Sequence, residues 1–170
     1  MSGSSLLVLG GARSGKSRLA QARAEVLPGA PVFIATAEPW DAEMTDRIAR
    51  HRGDRGGQWA TVEAPLDLPA AIVARSGTDH VLLVDCLTLW ATNILLAERD
   101  ADAETQALCT AVAGFDGHII LVANEVGLGI VPDNALARRF RDVAGRMNQQ
   151  VAAVVEEVLF VAAGLPLRLK

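Results

Sequence analysis

Gly10, Gly15, Lys16 and Ser17 stand at the spacing G-x-x-x-x-G-K-S in the run GGARSGKSR, a spacing that cradles a chain of phosphates. Glycines let successive main-chain N–H groups wrap an anion, and a helix starting at the lysine adds its positive end. The ammonium of Lys16 then reaches the β- and γ-phosphates, and the hydroxyl of Ser17 ligates Mg2+. Gly10, Gly11, Ala12, Arg13, Ser14, Gly15, Lys16 and Ser17 together form the expected nucleotide-binding loop. Its surroundings agree, with the apolar run LLVLG before it and the helical segment SRLAQARAEVL after it. Asp85 closes a second apolar run, VLLVD. A carboxylate there fits the partner that holds Mg2+ directly or through water, although an Asp at a strand end also serves as a helix cap. The chemistry is that of a Mg2+-bound nucleotide, with the base left open.

A second candidate is His51. The segment DAEMTDRIARHR places Met44, Ile48 and His51 on one stripe of a helix. Acidic residues begin it, Arg50 and Arg52 end it, and Gly53 follows, which is the charge order the helix dipole favours. His51 lies among Arg47, Arg50, Arg52 and Arg55 in an otherwise acidic chain. Such a cluster fits a bound anion, and cationic neighbours favour the neutral, nucleophilic imidazole. Dipole complementarity alone accounts for the same arginines, so the residues by themselves leave both readings open. His80 and His118 stand at strand entrances and read as ordinary half-exposed side chains.

The elements that must position these groups are legible as short, unbroken apolar runs at 6–10, 32–37, 81–85, 118–124 and 158–164. They do not alternate polar with apolar, so they suit strands covered on both faces. Helical periodicity fills the intervals. The expectation is an α/β P-loop NTPase fold: a mostly parallel sheet flanked by helices, in a single domain over residues 1–170. The ending PLRLK alternates and predicts an edge strand, possibly antiparallel. A last long helix from Asn134 onward carries Leu136, Phe140, Met147, Val151 and Val158 on one side and Arg138, Arg139, Arg141 and Arg146 on much of the rest.

The 170 residues carry 16 basic and 20 acidic side chains, a net charge of −4, which argues against nucleic acid as a bulk partner. Cys86 and Cys109 lie in apolar stretches and are expected as two buried thiols. The chain begins without a basic leader, and Glu156 and Glu157 interrupt its most apolar later stretch, so neither a signal peptide nor a membrane span is expected and the cytoplasm is the expected compartment. A switch GTPase would show N-K-x-D where this chain reads VANEVGLG, and a helicase or recombinase motor would want nucleic-acid contacts. Small-molecule kinases and nucleotidyl transferases remain.

Four blocks go further. GGARSGKSR, IATAEPWDAEMTDRIARHRGDRGGQWATVEAP, VLLVDCLTLWATNIL and VANEVGLGIVPDNALARRFRDVAGRMNQ, in this order, closely resemble the bifunctional adenosylcobinamide kinase / adenosylcobinamide-phosphate guanylyltransferase family. The intervening AERDADAETQALCTAVAGFDG carries no block of that family. The resemblance implies two reactions. A nucleoside triphosphate, ATP or GTP, phosphorylates the aminopropanol hydroxyl of adenosylcobinamide. A histidine then takes GMP from GTP and passes it to the adenosylcobinamide phosphate, giving adenosylcobinamide-GDP. It implies His51 as that histidine, with Lys16 as the other catalytic residue. Nucleotide contacts are implied at the loop, at Ala35, Thr36 and Ala37, at Arg52, Gly53, Asp54 and Arg55, and at Glu63 and Asp85, with Ser17 and Asp85 on Mg2+. Glu63, otherwise an exposed loop carboxylate, could accept both N1–H and N2–H of guanine. Glu125 is left between orienting the site and tying down its own loop. A ring-like homo-oligomer, a trimer, is the implied assembly.

Overall fold

The computed structural model describes residues 3–38, 59–77 and 79–170. The helix expected at 41–52, with His51 and Arg52 to Arg55 around its end, lies outside the described residues.

Seven strands form one sheet, in the order β3-β2-β4-β5-β1-β6-β7. They are β1 (Ser5–Gly10), β2 (Ala30–Ala35), β3 (Ala60–Glu63), β4 (His80–Asp85), β5 (His118–Asn124), β6 (Glu157–Ala162) and β7 (Leu165–Arg168). All pairings are parallel except β6 with β7, which is antiparallel. The expected edge strand is present at the chain's end, it pairs antiparallel, and its side chains are exposed.

Burial on both faces explains the unbroken apolar runs. Along β1, Leu7 and Leu9 face one core with Val32, Ile34, Leu82 and Val84, while Leu6 and Val8 face the other with Phe33, Val81 and Leu83. The first core is covered by four described helices: α2 (Leu68–Val73), α3 (Leu87–Leu96), α4 (Ala101–Ala113) and α5 (Ala135–Val154). Helix α1 (Lys16–Glu25) covers the second through Ala20 and Ala24. Branched and aliphatic side chains make up most of both cores, with Trp90 and Phe115 in the first and Phe33 in the second.

Two helix starts are capped by side chains. Asp100 accepts from the N–H groups of Asp102 and Ala103, and Asn134 from those of Leu136 and Ala137. The last helix thus begins where the sequence places it. It ends at Val154, however, and Val158 belongs to β6 rather than to the helical stripe. Val143, Met147 and Val151 form its buried line, and Leu136 in its first turn is exposed. Strand β3 was not expected: its four residues are mostly exposed and present no apolar run. The stretch without a family block supplies α4, whose Leu108, Cys109 and Val112 enter the core. Both cysteines are free and buried.

Candidate active site

Parallel pairing brings the carboxyl ends of the strands to one edge. The register sets Ala35 beside both Glu63 and Asp85, Asp85 beside Val122, and Gly10 beside Asn124. The expected residues at strand ends thus share one ledge, where open α/β sheets bind ligands.

The loop leaves β1 at Gly10 and enters α1 at Lys16. Gly15 caps α1 at φ 94°, a left-handed conformation that favours glycine. A Cβ on Gly10 would lie 2.6 Å from Ser14 Oγ and 2.7 Å from the Val161 carbonyl oxygen, so the first loop position has no room for a side chain. Lys16 is largely buried, and its ammonium donates to the Gly11 carbonyl at 3.1 Å. That bond folds the lysine across its own loop, where a phosphate would sit. The Ser14 hydroxyl is buried without a hydrogen-bond partner among the described residues. Lined donors and a buried hydroxyl of this kind suit the oxygens of a triphosphate.

No three His, Cys, Asp or Glu side chains converge as a metal site among the described residues. A Mg2+ ion that arrives with phosphates and keeps its waters needs only one or two protein ligands. Ser17, in the first turn of α1, and Asp85, half-buried at the end of β4, fit that need. Burial, helped by the Asp85 carboxylate, pushes the neighbouring Cys86 thiol up to about 11. It stays protonated at neutral pH and offers no thiolate beside the carboxylate.

Sequence reasoning missed what holds this edge together. Five of the six buried polar residues among those described, Lys16, Thr36, Thr88, Asn93 and Asn148, serve it; Thr105 is the exception. Thr36 is fully buried, donates to the Cys86 carbonyl at 2.7 Å and accepts from the Cys86 N–H at 2.9 Å. Asn93 donates to the carbonyls of Thr36 and Pro65, at 2.7 and 2.9 Å. Thr88 accepts from the Asn124 N–H at 2.7 Å, and Asn148 donates to the Asn124 carbonyl at 3.3 Å. These bonds tie β2, β4 and β5 at the ledge. The hydroxyl of Thr36 is therefore committed to positioning Asp85 and Cys86, while Ala35 and Ala37 flank it with no polar side chain. The Thr36→Val variant keeps the shape and leaves the Cys86 N–H unsatisfied. It is expected to lose about 1–3 kcal/mol of folding stability in chemical denaturation, with Thr36→Ser recovering most of it.

Glu63 is exposed at the end of β3, the outermost strand on its side. Glu125 accepts from the Gly127 N–H at 2.8 Å, which favours the loop-fixing alternative for it. His80 and His118 open β4 and β5 as expected, with His118 Nδ1 2.8 Å from Ser4 Oγ.

Comparison with known proteins bears on the whole of this edge. A family model described as cobinamide kinase / cobinamide phosphate guanyltransferase matches residues 6–169. The chain is 49% identical over 166 residues to the bifunctional adenosylcobalamin biosynthesis protein CobP of Pseudomonas aeruginosa, covering 96% of each. It is 41% identical to the bifunctional adenosylcobalamin biosynthesis protein CobU of Salmonella typhimurium, covering 97% of this chain and 99% of that one. In fold it resembles the ATPase EscN of the enteropathogenic Escherichia coli type III secretion system, with a TM-score of 0.58 at 12% identity over 95% of this chain and 43% of that one. A KaiC-like protein of Pyrococcus horikoshii gives a TM-score of 0.51 at 16% identity, over 94% of this chain and 72% of that one. The sheet is thus that of the P-loop NTPases.

Proposed function

The chain belongs to the cobinamide kinase / cobinamide phosphate guanyltransferase family, and from that premise we propose that it runs both reactions on the adenosylcobinamide side chain. In the first, the aminopropanol hydroxyl attacks the γ-phosphorus of ATP or GTP. The bond from that phosphorus to the β-bridging oxygen breaks, the nucleoside diphosphate leaves, and the hydroxyl proton passes to solvent. In the second, an imidazole nitrogen of His51 attacks the α-phosphorus of GTP and pyrophosphate leaves. An oxygen of adenosylcobinamide phosphate then displaces the histidine, giving adenosylcobinamide-GDP and restoring the imidazole.

The observation that supports this reading best is the ledge itself: Ala35, Glu63 and Asp85 in register, with Gly10 two residues beyond that rung at the same sheet edge, where the loop leaves β1. Lys16 and the loop N–H groups stabilise charge that develops on the transferred phosphorus and on its leaving group. Mg2+, held by Ser17 and Asp85, would neutralise the phosphate oxygens. Arg52 and Arg55, with the main chain at Gly53 and Asp54, are assigned to the GTP of the second reaction, close in sequence to His51. A trimer in solution, checked by light scattering, is the assembly that goes with this reading.

Glu63 supplies the guanine preference in this account, because a carboxylate pairs with N1–H and N2–H of guanine and repels the acceptor N1 of adenine. The Glu63→Gln variant should weaken GTP by roughly tenfold or more and ATP little, as read by calorimetry with both nucleotides. Equal losses would remove the base-reading role. The reading as a whole is tested by incubating the purified protein with adenosylcobinamide, ATP, GTP and Mg2+, and following the phosphate and the GDP ester by mass spectrometry. A product that stops at the phosphate would leave only a kinase.

A further inference from the structure

We propose that the nucleoside of the phosphoryl donor lies in a separate cleft, between the phosphate loop and the β6–β7 turn, on the side of β1 away from Glu63. The proposal rests on the reading above, that one chain runs both reactions. In the sheet order, β5, β4, β2 and β3 lie to one side of β1, and β6 and β7 to the other. Bases placed at Glu63 and beside the β6–β7 turn would stand five strand spacings apart, roughly 24 Å. A triphosphate seated on the loop must turn its base one way or the other.

The cleft on the far side has about 540 Å³ and is lined by the loop from Arg13 to Arg18 and by Ala163 and Gly164. Its wall is fixed to the loop. The Gly164 N–H donates to the Ser14 carbonyl at 2.8 Å, and a Cβ on Gly15 would lie 3.3 Å from Gly164 Cα. Turn and loop thus touch glycine against glycine, with φ of 94° at Gly15 and 80° at Gly164, and the missing side chains leave the space above them open. A Cβ on Gly164 would be 3.9 Å from Arg18 Nη2, so that guanidinium reaches over the turn. Arg13 and Arg18 are exposed and make no ion pair with a described residue. Flat guanidinium groups stack on purines. Ser14 and Ser17 also line the cleft.

Among the described residues the lining has no carboxylate and no side-chain amide. It offers no carboxylate to pair with N1–H and N2–H of guanine, so the cleft accepts adenine and guanine alike, whereas the Glu63 side selects guanine. One loop then serves two reactions with two base directions: an unselective one for γ-phosphoryl transfer and a guanine-selective one for GMP transfer.

The test compares the two half-reactions in the full-length protein. Phosphoryl transfer to adenosylcobinamide is measured with γ-labelled ATP and with γ-labelled GTP, and covalent labelling of the protein with α-labelled GTP alone. In Arg18→Ala and Ala163→Asp, the KM for either donor should rise about tenfold while α-labelling keeps its GTP dependence. Ala163 has φ 52°, a conformation that Asp tolerates; if that variant fails to melt cooperatively, Arg18→Ala, on an exposed side chain, decides alone. Equal losses in both half-reactions, or no change in either, would overturn the cleft assignment. A wild-type protein that performs neither half-reaction would instead overturn the functional reading, and the cleft with it.

Discussion

Replacing Lys16 by Ala is expected to lower kcat/KM of both reactions by roughly 10²–10³-fold while the protein stays folded. In the proposed reactions the lysine is the ammonium that the loop offers to the β- and γ-phosphates, from a largely buried residue. In the proposed kinase step it would stabilise charge on the γ-phosphoryl group and the departing diphosphate, and in the proposed guanylyl step charge on the leaving pyrophosphate. Its hydrogen bond to the Gly11 carbonyl is local to the loop, so its loss leaves both cores untouched. Steady-state kinetics beside a thermal melt checks the outcome. Turnover within about threefold of wild type would mean that the loop does not carry the reacting phosphates.

The largest effect on stability is expected at Trp90. The indole is fully buried in the core under α3, and its Nε1 donates to the Leu66 carbonyl at 2.8 Å. Trp90→Ala leaves a cavity between α3 and the sheet and strips a carbonyl of its donor, for a loss of about 3–5 kcal/mol. For a chain of this length that corresponds to a fall in Tm of roughly 6–20 °C. Trp90→Phe keeps most of the apolar contact and should recover the larger part. A Tm within about 2 °C of wild type for the Ala variant would contradict the packing described.

Much of this was legible in the sequence because the signals are local. The loop is written in eight consecutive residues, the strands in unbroken apolar runs, and the last helix in its Asn134 cap. The edge strand shows in the alternation of PLRLK, and its antiparallel direction comes from the pairing with β6. What escaped needs pairings that no short window contains. Strand β3 is an exposed edge that exists because Ala35 pairs with Glu63. Val158 continues a helical spacing arithmetically, yet the chain turns at Val155 and Glu156 to enter β6. The polar clamp joins Thr36 to Cys86 and Asn93, 50 and 57 residues on. In sequence, each of those residues is a single polar side chain with no partner in sight; only a buried polar group's need for a bond gives it meaning once the fold is known. The contact between Ser14 and Gly164 joins nearly the two ends of the chain. His51 rests on the family resemblance and its arginine neighbours.

The most direct test of the two-reaction account is incubation of the purified protein with α-labelled GTP and Mg2+ in the absence of corrinoid. The account predicts label that survives denaturation, is lost in acid, persists in alkali, and is absent from His51→Ala. Protein that folds and binds GTP but takes up no label, or a His51→Ala variant that labels as wild type does, would contradict it.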